Sequence, residues 1–141
     1  MSADGDVGLT RDAGWEIGVS KRLDHPIEQV WDFITSPEGT ALWLGQGSEL
    51  LHQKGGPYET ADGTVGETRS FHPQERIRLT WRPETWEHDS VVQVTVSPSS
   101  SGRTILRFHQ ERLASADERR QQREHWRAVM GSVIEALDAS E

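Results

Sequence analysis

Six histidines, at positions 25, 52, 72, 88, 109 and 125, are the first residues here that could do chemistry, and metal binding is the chemistry they suggest. No two of them fall at i,i+2 on a strand pattern or i,i+4 on a helix pattern. There is no HExxH run, and the chain has no cysteine to complete a ligand set. The expectation is no metal, and equally no thiolate nucleophile and no disulfide. Nucleophilic serine chemistry lacks its GxSxG elbow, and Ser132 follows Gly131 inside a helical pattern. Gly45-Gln46-Gly47 lacks the third glycine and the preceding strand of a dinucleotide fingerprint, so it reads as a loop and no cofactor is expected. No catalytic residue is assigned.

Acid–base work rests on Glu67 and Arg69, which share the parity of Val65 and Phe71. If that parity faces inward, a carboxylate and a guanidinium enter the interior, where such a pair orients a polar ligand or tunes a proton transfer. If Gly66, Thr68 and Ser70 face inward instead, the pair is an ordinary solvated element. Both assignments stay open. His109 shares the parity of Arg107 and Glu111, opposite to Leu106 and Phe108, and is expected to face outward. The remaining candidates are aromatic: Trp31, Trp43, Tyr58, Trp81, Phe108 and Trp126. Rings with a polar handle make flat walls for a mostly apolar or aromatic guest, although each one alone is better explained by filling a core. Met130 is soft enough to adjust to a guest, and Val133 lies on the same stripe.

The element that must position these residues is the last one. Ser115 and Glu118 form a capping box. Beyond it, Trp126, Val129, Met130, Val133, Ile134 and Leu137 fall at i, i+3, i+4, i+7, i+8 and i+11, the single apolar stripe of a long helix. Its first half is polar all round, and Arg119, Arg120 and Arg123 there read as a solvated face or a docking patch. Upstream, Trp15, Ile17, Val19 and Leu23 alternate as a strand. His25-Pro26 ends it, and Ile27, Val30, Trp31 and Ile34 follow at helical spacing. Ser36-Pro37 starts a second short helix to about Trp43, and the two must meet at an elbow because the residue before a proline leaves the helical region. Then come strand patterns: Ser48 to His52, a hairpin of Tyr58–Ala61 and Thr64–Phe71 around Asp62-Gly63, Ile77 to Trp81, Val92 to Val96, and Thr104 to Phe108. The predicted architecture is α+β: a curved antiparallel sheet of six or seven strands round a long C-terminal helix, with two short helices after the first strand and that strand paired to the last.

At 141 residues the chain suits one domain, expected over residues 14–139 behind a mobile N-terminal tail, 1–13. It is 33% hydrophobic and 27% charged with six Trp, a small core built from large pieces. A net charge of −8 argues against nucleic acid and anionic membranes. With no apolar run near eighteen residues and no signal-like start, a soluble cytoplasmic protein is expected.

His25-Pro26-Ile27-Glu28-Gln29-Val30-Trp31 resembles the "x-Pro-x-x-x-Val-Trp" opening of the START-like (SRPBCC, Bet v 1-like) helix-grip superfamily. Ser36-Pro37-Glu38 with Leu42-Trp43, Gly55-Gly56-Pro57-Tyr58, Gly66-Glu67, Pro73 with Glu75-Arg76-Ile77, Thr80-Trp81, His125-Trp126 and Ile134-Glu135-Ala136-Leu137 resemble its branch named for the activator of the heat-shock-protein-90 ATPase. The similarity spans roughly residues 14 to 138. It implies the helix-grip fold; the convergence of the aromatics in such a fold, with no catalytic constellation beside them, leads to the expectation of a small, mostly apolar ligand held between sheet and C-terminal helix, entering through the elbow at Leu42 to Gly47. The expected ligand-binding set is Trp31, Trp43, Tyr58, Glu67, Arg69, Trp81, Phe108, Trp126, Met130 and Val133. The superfamily also implies two alternatives: a chaperone ATPase co-regulator of the stress response, acting through its surface, and a cyclase, dehydratase or hydrolase using polar groups in the cavity. A homodimer is compatible with either.

Overall fold

A computed structural model describes residues 9–10, 14–50 and 52–139. The elements run β1 (Leu9–Thr10), β2 (Gly14–Leu23), α1 (Ile27–Thr35), α2 (Pro37–Trp43), β3 (Pro57–Glu59), β4 (Val65–His72), β5 (Arg76–Trp81), β6 (Ser90–Pro98), β7 (Thr104–Leu113) and α3 (Ala116–Ala139). The seven strands form one antiparallel sheet in the order β1-β2-β7-β6-β5-β4-β3. This is the α+β helix-grip arrangement, with β2 paired along β7 from Leu23↔Thr104 to Trp15↔Leu113. Most of the expected tail, Met1–Ala13, lies outside the described residues; Leu9 and Thr10 do not, and they form β1 against Trp15 and Gly14. No strand forms at Ser48 to His52 among the described residues. No described helix is long and apolar enough to cross a membrane.

Local rules explain the joints. Ser36 caps α2 by accepting from the Gly39 amide at 3.1 Å, with Pro37 in the first turn. Gly39 permits the elbow, since a Cβ there would stand 1.9 Å from the Phe33 carbonyl oxygen. The capping box of α3 forms: Ser115 Oγ accepts from the Glu118 amide at 3.1 Å, and the Glu118 carboxylate accepts from the Ala114 amide at 3.0 Å. Alternation on β6 and β7 turns Val92, Val94, Val96, Leu106 and Phe108 towards α3, whose buried stripe is Gln122, Trp126, Val129, Met130, Val133 and Leu137. The far end of the helix is tied back by His25 Nε2, 2.8 Å from Asp138 Oδ1.

Candidate functional site

The six aromatic rings do converge. Phe108 stacks on Trp126 with centroids 5.1 Å apart, Trp43 lies 6.5 Å from Phe108, and Trp81 lies 6.4 Å from Trp126. Trp31 and Tyr58 belong to the same buried cluster, as do Met130 and Val133. The rings fill the space they enclose: Phe108, Trp43 and Trp126 are 0%, 1% and 1% exposed, so no water-sized gap adjoins them. The elbow expected to admit a ligand is latched. Trp43 Nε1 donates to the Ile34 carbonyl at 2.8 Å, and Thr40 Oγ1 donates to the same oxygen at 3.2 Å.

Glu67 and Arg69 stand apart from the rings. Thr68 pairs with buried Leu79 and is itself buried, whereas Glu67 lies on the other face beside Thr80, whose hydroxyl accepts from the Glu67 amide at 2.9 Å. The two charged side chains bond to each other at 41% and 50% exposure. The outward assignment therefore holds, and this pair supplies no acid or base to the interior. Arg69 instead reaches an outer cleft of about 310 Å³ with Arg78, Thr80, Asp89, Ser90, Val91 and Arg112.

The polar chemistry inside the grip comes from residues absent from the expected set. Gln110, fully buried, accepts through Oε1 from Trp126 Nε1 at 2.8 Å and from Gln122 Nε2 at 2.9 Å. Its own amide donates to Ser90 Oγ at 2.9 Å, and Ser90 donates on to the Trp81 carbonyl at 2.7 Å. The network orients the indole and closes a chain of satisfied groups across sheet and helix. Gln110 shares the parity of Leu106 and Phe108, and a polar residue on an apolar parity was the available signal. Trp81 Nε1 is buried without a hydrogen-bond partner among the described residues, and its ring meets Trp86 edge-on at 5.3 Å. Tyr58 donates to the Thr80 carbonyl at 2.6 Å; burial, helped by Asp89, pushes its phenol far above the ordinary range, so it stays neutral. His125, packed against Trp81 and Trp126, is held below the usual histidine range by desolvation, which Asp62 partly offsets.

As for metals, the donor atoms of Glu16, His109 and Glu111 lie within 4.8 Å of one another on the outer face. The Arg78 guanidinium already bonds Glu111 and neutralises it, and His109 lies 3.5 Å from Glu16. The sequence signal was cross-strand: His109 and Glu111 at i,i+2 on β7, with Glu16 on the neighbouring strand.

The seam between β2 and α3 is different in kind. A cleft of about 360 Å³ is lined there by Val19, Lys21, Arg127, Met130, Gly131 and Ile134. Of the expected set only Met130 takes part, and it joins this cleft to the ring cluster.

Comparison with known proteins agrees with this architecture. No functionally curated protein matches the chain in sequence. Among solved structures, protein MLL2253 of Mesorhizobium loti superposes with a TM-score of 0.71 at 21% identity, over 89% of this chain and 98% of that one. DynU16, from the dynemicin biosynthetic locus, gives 0.76 at 18% identity over 89% of this chain and 48% of its own. PFC0360w, an HSP90 activator from Plasmodium falciparum, gives 0.61 at 18% identity over 70% and 74%. At these identities the likeness speaks for the fold alone. A family model described as "Activator of Hsp90 ATPase homolog 1-like protein" matches residues 24–138, from the end of β2 through the buried stripe of α3, and the chain belongs to that family.

Proposed function

We propose that the domain binds a small molecule with a mostly hydrophobic or aromatic body between its sheet and α3, seated in the seam beside β2 with Met130 as its floor. One observation carries this reading: the seam cleft of about 360 Å³ has an apolar lining of Val19, Met130 and Ile134 and opens to solvent, while the ring cluster behind it is closed. Its volume is at the lower end of the range for small-molecule sites. Met130 lets the floor adjust to guests of different outline. Thermal shift and tryptophan fluorescence with naphthalene-sized probes test the reading. Saturable binding that Met130→Ala weakens is expected; no response to any probe would count against it.

A second reading is favoured by the family description and by the HSP90 activator among the structural neighbours. In it the chain is a chaperone co-regulator that works through its surface. Pull-down with a chaperone middle domain, followed by an ATPase assay, distinguishes the two. An effect on ATPase rate that Met130→Ala leaves unchanged would favour the surface reading.

A further inference from the structure

Six of the described cations are engaged. Arg69, Arg78, Arg103 and Arg120 pair with Glu67, Glu111, Asp24 and Asp117, while Arg82 and Arg119 donate to the carbonyls of Trp86 and Glu16. Lys21 on β2 and Arg123 and Arg127 on α3 share the lack of such a partner with Arg22, Lys54, Arg76, Arg107 and Arg112, but they alone of these stand together in one cleft. Among the described residues none of the three has an ion-pair or hydrogen-bond partner. All three gather at the seam: a second cleft of about 340 Å³, lined by Gly18, Val19, Ser20, Lys21, Arg123 and Arg127, adjoins the first and shares Val19, Lys21 and Arg127 with it. Among the described residues no carboxylate lines either cleft, in a chain of net charge −8. Arg123 and Arg127 stand at i,i+4 on one helix, where like charges repel, so the arrangement costs a little stability unless something negative lies between them.

We propose that the seam selects organic acids: its ligand has an aromatic or branched aliphatic body on the Val19, Met130 and Ile134 floor and a carboxylate head held by Lys21, Arg123 and Arg127. This deepens the small-molecule reading above and rests on it. An acid suits the rim because guanidinium donors meet a carboxylate in a planar, two-bonded fit that a neutral head cannot return. It suits the floor because the apolar lining sits directly beside those cations. A peptide is a poorer fit, since two clefts of this size take a single compact body. A second copy of the chain would set the same three cations against themselves.

The discriminating experiment titrates 2-naphthoate and its neutral counterpart 2-naphthalenemethanol into the full chain, following tryptophan fluorescence and calorimetry. Naphthoate is expected to bind about tenfold tighter, an advantage on the order of 1.4 kcal/mol. Added salt should erode that advantage and leave the alcohol unaffected. Arg127→Glu and Lys21→Glu should each abolish the preference without weakening the alcohol. Gly131→Leu serves as the fold-preserving block: a Cβ at Gly131 meets nothing within 4 Å, so the larger side chain projects into the cleft and should remove binding of both probes while the melting temperature holds or rises. Equal affinity for acid and alcohol, indifferent to Arg127→Glu, would overturn the acid preference and leave the binding reading intact. If neither probe binds, both fall. Naphthoate binding that appears only after removal of residues 1–8, which carry Asp4 and Asp6, or only on dilution of a dimer, would assign the groove to the chain's own acidic segment or to a second copy, and would overturn the proposal.

Discussion

The two flanks of α3 solve opposite problems. On the flank facing β5 to β7, Trp126 meets Phe108, Trp81 and the Gln110 carboxamide, and Trp126, Phe108 and Gln110 are sealed from water. On the flank facing β2, the strand offers Gly18, half-buried Val19 and exposed Lys21, and the helix answers with Arg127 and Gly131. The difference follows from what each strand brings. Central strands contribute mostly branched and aromatic residues at their inward positions, with Ser90 and Gln110 as hydrogen-bonded exceptions, whereas among the described residues β2 is paired on one side only over Ile17–Leu23. Dense packing fixes where the helix lies, and the sparse margin can then be left open without losing its position.

Substitutions on the sealed flank should break this contrast most severely. Trp126→Ala removes a stacked, fully buried ring and is expected to cost about 3–5 kcal/mol, read from urea denaturation. Gln110→Ala comes next. It strands the Trp126 indole N–H and the Gln122 amide in a dry interior, for a loss of roughly 2 kcal/mol, with Gln110→Glu a poor rescue because it buries a charge. Acidification gives a smaller effect, because the His125 ring packs on Trp81 and Trp126 yet stays partly exposed. Desolvation holds His125 below its unfolded value of about 6.5, so the unfolded chain takes up the proton first. The part of the stability due to this neutral ring is fully present above that pH and is lost as pH falls below about 6.5 towards the folded value. Urea midpoints from pH 7.5 to 5 should therefore fall less for His125→Gln than for the parent chain, and parallel curves would argue against this origin. Smallest of all, Arg127→Ala on the open flank should stay within about 0.5 kcal/mol of the parent, since the side chain is exposed and unpaired. A large loss there would mean that the seam is structural.

Much of the fold was legible because its signals are local. The α3 stripe, its capping box, the Ser36-Pro37 elbow and the alternation of β5 to β7 each need only a few neighbouring residues. The Glu67 and Arg69 orientation was not, because the pairing of β4 with β5 shifts register between Thr68 and Ser70. A bulge there breaks the alternation on which parity arguments depend. Among the described residues of Ser48 to His52 no strand forms, because alternation in sequence does not say which strand edge is free to pair. Convergence of the aromatics was readable, but whether they leave room among themselves depends on side-chain volumes in three dimensions. The Gln110 network joins residues 12, 16 and 20 positions apart on different elements, and only the fold brings them together. The seam is less legible still, since an unpaired cation is recognised only after every carboxylate has been placed.

The joint between β2 and β7 has a consequence for the order of assembly. Thr104 Oγ1 reaches the His25 carbonyl across 79 residues of chain, whereas β4 to β7 are linked by short turns. Distant stretches meet only after a large loop closes, so the meander is expected to collapse early and β2 to dock late. Stopped-flow refolding should then show Ile17→Val accelerating unfolding with little change in the folding limb, and Val94→Ala slowing folding. One wall of the seam would thus arise only in the final step of self-assembly, and a nascent chain would have no seam to offer until that step is complete.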